Sequence, residues 1–167
     1  MIGTRKTMGV LAIALSAIAA WSTFAGAQVL TGEQVQKIAP STYYFSGQSA
    51  AVQARNTAGL KNSGGKVVLA GLVDNSGYST AIQQKYQGFL IAETKINFDG
   101  GTLDPGEYGF GFKDGKFVVM NVAAADVVSV ASQNDSALKH PVPLKIEQEG
   151  GSYRLYSGRQ YVVLSVD

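Results

Sequence analysis

The sequence has no cysteine, one histidine, one tryptophan and four prolines in 167 residues. Without thiols there is no disulfide, no cysteine nucleophile, no Cys-ligated zinc and no lipid-carrying cysteine. The single His140 excludes a multi-histidine metal site. Surplus charge is also missing. The chain carries 14 Lys+Arg against 12 Asp+Glu, a net of +2, and two of those cations, Arg5 and Lys6, lie in an N-terminal leader. Past the leader the charges balance, so the basic face that nucleic-acid binding needs is not expected. Long apolar runs are confined to the N-terminus, and no later run reaches the ~18 residues of a membrane-spanning helix.

What is present at the N-terminus has three parts. Arg5-Lys6 is a positive start, Met8–Ala20 is apolar apart from Gly9 and Ser16, and Ala25-Gly26-Ala27 is a small-x-small site before Gln28. This order reads as a signal peptide, residues 1–27, cleaved after Ala27. The competing reading is a retained anchor, since Met8–Ala27 is about long enough to span a bilayer. Ser16, Ser22, Thr23 and Gly26 dilute its second half and favour cleavage. An exported, periplasmic or extracellular protein is expected, with residues 28–167 as a single β-rich domain.

Two short helices are expected. Thr31 can cap the first, up to Ala39, with Gln34 as its capping-box partner and Pro40 beyond. The second covers Thr80–Tyr86, with Thr80 and Gln83 in the same relation. The rest reads as strands separated by turn residues: Asn62-Ser63-Gly64-Gly65, Asp74-Asn75-Ser76-Gly77, Asp99-Gly100-Gly101, Asp114-Gly115, Glu149-Gly150-Gly151 and Ser157-Gly158. Tyr43–Ser49 and Gly88–Phe98 each read as one strand. The fold class is all-β, either a β-sandwich or a small closed β-barrel. An eight-stranded outer-membrane barrel is the alternative, and it needs strands longer than most of those found here.

Asp114-Gly115 predicts a two-residue type I′ hairpin over Tyr108–Val122. Lys113 then faces Lys116, Phe112 faces Phe117, and Phe110 faces Val119. One face carries Tyr108, Phe110, Phe112, Phe117, Val119 and Asn121. The other carries Gly109, Gly111, Val118, Met120 and Val122. Such a hairpin must be covered on both faces or stand beside a cavity. In the C-terminal pair Tyr153, Leu155, Val162, Leu164 and Val166 share a core face. Arg154, Tyr156, Arg159 and Tyr161 form a basic-aromatic face.

The run Leu103-Asp104-Pro105-Gly106-Glu107-Tyr108-Gly109-Phe110 resembles the L-x-P-G-x-Y-x-F strand opening of secreted bacterial prealbumin-like and Ig-like sandwich domains. The longer stretch through Val130 is similar to small exported bacterial β-rich proteins. The resemblance implies a sandwich fold and carries no activity.

Few residues offer chemistry. His140 has no G-x-S-x-G partner and sits among Pro141-Val142-Pro143. Glu93 and Glu107 are the carboxylates a hydrolase would use; otherwise Glu93 is a solvated or Lys95-paired carboxylate near a strand end. Asp74 and Asp99 lie in oxygen-rich loops that turn chemistry explains without calcium. No cofactor or metal is expected. Ligand contacts are expected at two places: Tyr108, Gly109 and Gly111, if a cavity stands over the hairpin glycines, and Arg154, Tyr156, Arg159 and Tyr161, if the basic-aromatic face takes an anion or a sugar. The leading expectation is a non-catalytic binding or structural module of the bacterial cell envelope, with an envelope protein or a small molecule as partner. A small-molecule binder with an apolar or sugar ligand comes second, and a carboxylate-based hydrolase third.

Overall fold

The computed structural model describes residues 26–167, so the leader lies outside the described residues except for Gly26 and Ala27. In chain order the elements are β1 (Gln28–Val29), α1 (Gly32–Ile38), β2 (Thr42–Phe45), β3 (Gln48–Lys61), β4 (Val67–Val73), α2 (Thr80–Gln83), β5 (Gly88–Ala92), β6 (Ile96–Phe98) and β7 (Gly101–Leu103). Then come β8 (Gly106–Lys113), β9 (Lys116–Asn121), β10 (Asp126–Ala131), β11 (Gln133–Asn134), β12 (Val142–Glu149), β13 (Ser152–Gly158) and β14 (Gln160–Val166).

The strands form two antiparallel sheets. The larger runs β1-β3-β4-β5-β8-β9-β10, with β2 attached to β3. The smaller runs β12-β13-β14-β6-β7, with β11 attached to β14. Each sheet ends in two edge strands, so the fold is an open sandwich and the closed barrel is excluded. Between the sheets lies the main core. Leu60, Leu90, Phe110, Phe117 and Val119 come from the larger sheet, and Ile96, Leu144, Tyr153, Leu155, Val162 and Leu164 from the smaller.

The larger sheet is covered on its outer face too. Sequence alternation puts Leu69, Phe89, Val118 and Met120 on that face, and a second core of Val35, Tyr43, Phe45, Ala50, Tyr78 and Tyr86 packs over them. Three pieces supply this cover. Helix α1 contributes Val35, and its capping box is formed, with Thr31 accepting from Gln34 N–H and the Gln34 side chain accepting from Thr31 N–H. The β2–β3 hairpin contributes Tyr43, Phe45 and Ala50. The segment from Asp74 to Gln87 contributes Tyr78 and Tyr86. Phe45 stacks on Tyr86 at 4.0 Å between ring centroids, and Tyr43 on Phe89 at 5.1 Å.

Several elements differ from expectation. Tyr43–Ser49 is two strands, broken at Ser46-Gly47, which hold φ of 47° and 88° and make a tight hairpin turn. Gly88–Phe98 is also two strands. Glu93-Thr94-Lys95 carries the chain from the larger sheet to the smaller, which one continuous strand cannot do. The N-cap position of α2 falls on Ser79 rather than Thr80, with no side-chain capping hydrogen bond. The Gln83 amide turns away from the helix start and donates to the carbonyls of Ser76 and Tyr78. The C-terminal hairpin turns one residue later than expected: Ser157 faces Gln160, and Gly158, at φ 62°, takes the first loop position.

The second core sets an alkaline limit. The hydroxyls of Tyr43 and Tyr86 are buried without a hydrogen-bond partner among the described residues. Burial pushes both phenols far above the usual tyrosine range; the Glu107 charge adds to the effect at Tyr43, and the Tyr78 phenol adds to it at Tyr86. Below about pH 10 the folded and unfolded chains both keep these phenols protonated, and stability is unaffected. Above it the unfolded chain ionises first, so stability falls as pH rises. Urea midpoints should hold from neutral pH to about pH 10 and drop beyond it, with the last phenols ionising only as the chain unfolds.

Candidate functional site

Three places can be weighed as a site: the hairpin glycines, the basic-aromatic face and a cleft at the N-terminal end of the sandwich.

The hairpin has the expected register. Lys113 pairs with Lys116, Phe112 with Phe117 and Phe110 with Val119, and the loop residues Asp114 and Gly115 hold φ of 53° and 72°. Of the two alternatives for the glycine face, close cover and a cavity, the described residues show close cover, and the cavity alternative falls. A side chain at Gly109 would meet the Phe45 ring at 2.5 Å, and one at Gly111 would collide with the carbonyl of Lys85. The two glycines let the covering layer sit directly on the backbone. Tyr108 serves the preceding turn. Its ring lies over Gly106, and its hydroxyl donates to the Asp104 carbonyl at 3.0 Å.

The basic-aromatic face is assembled as expected, except that Arg159 moves into the hairpin loop. Tyr156 and Tyr161 stand side by side with ring centroids 5.1 Å apart. Arg154 lies over the Tyr161 ring at 4.5 Å, and Lys145 over the Tyr156 ring at 4.6 Å. The polar ends of this cluster are already engaged. Arg154 Nη2 donates to Glu149 Oε1 at 2.6 Å, Nε lies 2.5 Å from Oε2, and Nη1 donates to the Tyr156 hydroxyl. The Tyr156 hydroxyl donates to Asp135, and the Tyr161 hydroxyl donates to Gln133 at 2.7 Å. Arg159 donates to the carbonyls of Asp135, Ser136 and Leu138, tying down the 132–141 loop. Lys145 and Arg154 lie over the two rings, Asp135 and Gln133 hold their hydroxyls, and both tyrosines are buried. Hydrogen bonding, first of all to Tyr156, raises the Arg154 guanidinium further above its usual value.

The carboxylates are structural as well. Glu93 is not mid-strand; its Oε2 accepts from Val67 N–H at 2.8 Å and caps the start of β4. Lys95 pairs with Asp104 instead, at 3.5 Å. Glu107 opens β8 opposite Ile91. Asp74 accepts from Ser76 N–H in a local turn, and hydrogen bonding from Ser76 lowers its carboxyl. No group of three or more His, Asp or Glu side chains converges among the described residues.

The third place was not anticipated. A cleft of about 580 Å³ is lined by Gly26, Ala27, Gln148, Gly150, Gly151, Tyr153 and Val166. The β12–β13 turn, Gly150-Gly151, forms one lip, and the chain entering β1 forms the other. At its base the buried Tyr153 hydroxyl donates to the Ala27 carbonyl. Tyr153 reads from sequence as a core residue because of its alternation with Leu155. Its position beside the Gly150-Gly151 turn was the available sign that its polar end reaches the rim.

Comparisons with protein-family models, with curated proteins and with solved structures found no match for this chain.

Proposed function

We propose that the chain is the precursor of an exported β-sandwich domain acting as a non-catalytic binding or structural module of the bacterial cell envelope. The observation that carries this reading is the use made of its charged side chains. Arg154, Arg159 and Glu93, the groups best suited to a ligand or a reaction, hold a carboxylate, a loop and a strand end in place. Export rests on the leader pattern, and the first strand of the described fold begins at Gln28, directly after the small-x-small site.

The test is to express the full chain with its leader, separate the cell fractions and read the N-terminus by mass spectrometry. A periplasmic or secreted protein starting at Gln28 is expected, with tyrosine-only fluorescence because Trp21 is gone. An intact leader in the cytoplasm, or indole emission from the purified protein, overturns it.

A small-molecule binder is the second reading, favoured by the cleft at Tyr153, which has a largely apolar lining. An apolar ligand retained in native mass spectra would put this reading first.

A further inference from the structure

One wall of the cleft at Tyr153, Gly26-Ala27, is a piece of the chain that the proposed processing removes. Ala27 lies buried in the main core, and its carbonyl is the acceptor of the Tyr153 hydroxyl. Gly26 lies against the same hydroxyl, where a side chain would come within 3.2 Å of the oxygen. Gln28 and Val29 are then fixed in β1 against Lys61 and Leu60. The strand stays when residues 26 and 27 leave.

Hydrolysis of the Ala27–Gln28 bond adds one water across it. Ala27 departs with a carboxylate, and Gln28 keeps an α-ammonium. The domain is left with a slot that has a phenol donor at its base and a new cation at its mouth. Two donors of this kind, one charged, bind a carboxylate through charge-assisted hydrogen bonds. An emptied slot also leaves the Tyr153 hydroxyl without its partner, a condition that favours refilling by an acceptor.

We propose that the mature domain binds the free carboxyl terminus of a peptide ending in two small residues, in the slot vacated by Gly26-Ala27. This rests on cleavage after Ala27. The shape of the slot supplies the specificity. The last side chain enters the core where the Ala27 methyl sat, so it is methyl-sized. The one before it lies on the Tyr153 hydroxyl, so it is glycine or alanine. The carboxylate sits between the Tyr153 hydroxyl and the Gln28 ammonium. End-on capture of a peptide carboxylate is an established recognition mode.

The exported protein, with a free Gln28 amine verified by intact mass, is titrated with the peptide Ser-Thr-Phe-Ala-Gly-Ala as the free acid. Backbone amide shifts are followed by NMR. Saturable shifts around Gln148–Tyr153 and at Val166 are expected. The same peptide with an amidated C-terminus should bind about tenfold more weakly, having lost the charge-assisted contact. Tyr153→Phe should weaken the acid peptide and narrow the gap between acid and amide forms. A peptide ending in Phe-Phe should not bind. A terminus other than Gln28 overturns the cleavage reading and the slot with it. A correct terminus with no shifts, with shifts elsewhere, or with equal affinity for acid and amide overturns the slot alone. The acid–amide comparison stands even if Tyr153→Phe does not fold.

Discussion

Phe45→Ala should lower the unfolding free energy by about 3–5 kcal/mol, the usual cost of deleting a fully buried phenylalanine. Phe45 has no exposed surface. It stacks on Tyr86, meets Tyr78 edge-on at 6.3 Å and lies against the backbone at Gly109. Its removal leaves a hole in the middle of the second core, bounded by rings that cannot collapse into it. Urea denaturation of the mature domain measures the loss. A double-mutant cycle sharpens it. Gly109→Ala alone should destabilise, because the new methyl meets the Phe45 ring. In the Phe45→Ala background the same methyl enters the vacated space, so the second substitution should cost little or help. A coupling between the two of at least about 1 kcal/mol is expected for groups in direct contact. Additive effects would mean that Phe45 does not rest on Gly109.

Gly111→Val is the second large effect, expected at about 3 kcal/mol or more, at or beyond the upper end of overpacking penalties. Its obstacle is of another kind. The added carbons would run into the carbonyl oxygen and carbon of Lys85. Lys85 is held there by the helical hydrogen bonds after α2, and the neighbouring Gln87 by a two-way pairing of its side-chain amide with the backbone of Phe112, at 3.0 Å in each direction. No truncation of a neighbouring side chain makes room, so no partner variant should rescue Gly111→Val. A denaturation midpoint unchanged or raised in this variant would show that the layer over β8 is not seated as described.

The hairpin that carries both glycines was legible because an Asp-Gly turn admits one register, and each pairing follows from it. The alternation of aromatics with glycines also signalled two faces of different character. The filling of the glycine face was not legible. It comes from Phe45 and Lys85, far away in the chain, the first on β2 and the second just after α2. Ser46-Gly47 is the same Ser-Gly turn mark as Ser157-Gly158, and only the three aromatic residues before it favour reading the strand straight through. The break at Glu93 escaped because both halves keep strand composition and only the change of sheet separates them. The basic-aromatic cluster was legible as a face, since period-two alternation fixes it. Its engagement by Asp135, Gln133 and the 132–141 loop was not, because loops leave no periodic trace. The cleft at Tyr153 depends on where the ends of three distant segments meet, which period and turn chemistry do not encode.

The place of β14 in the smaller sheet has a kinetic consequence. It is the last strand in chain order, yet it lies between β13 and β6 and pairs with both. Asp167, just beyond it, is tied to Asn62, Thr94, Lys95 and Asn97. Until β14 arrives, β6-β7 and β12-β13 are separate fragments, and one side of the main core has no lid. A nascent chain therefore cannot complete its fold from the N-terminus forward. Its decisive contacts are long-range, the kind that form slowly. The smaller sheet therefore closes in one late step, when β14 joins its two halves.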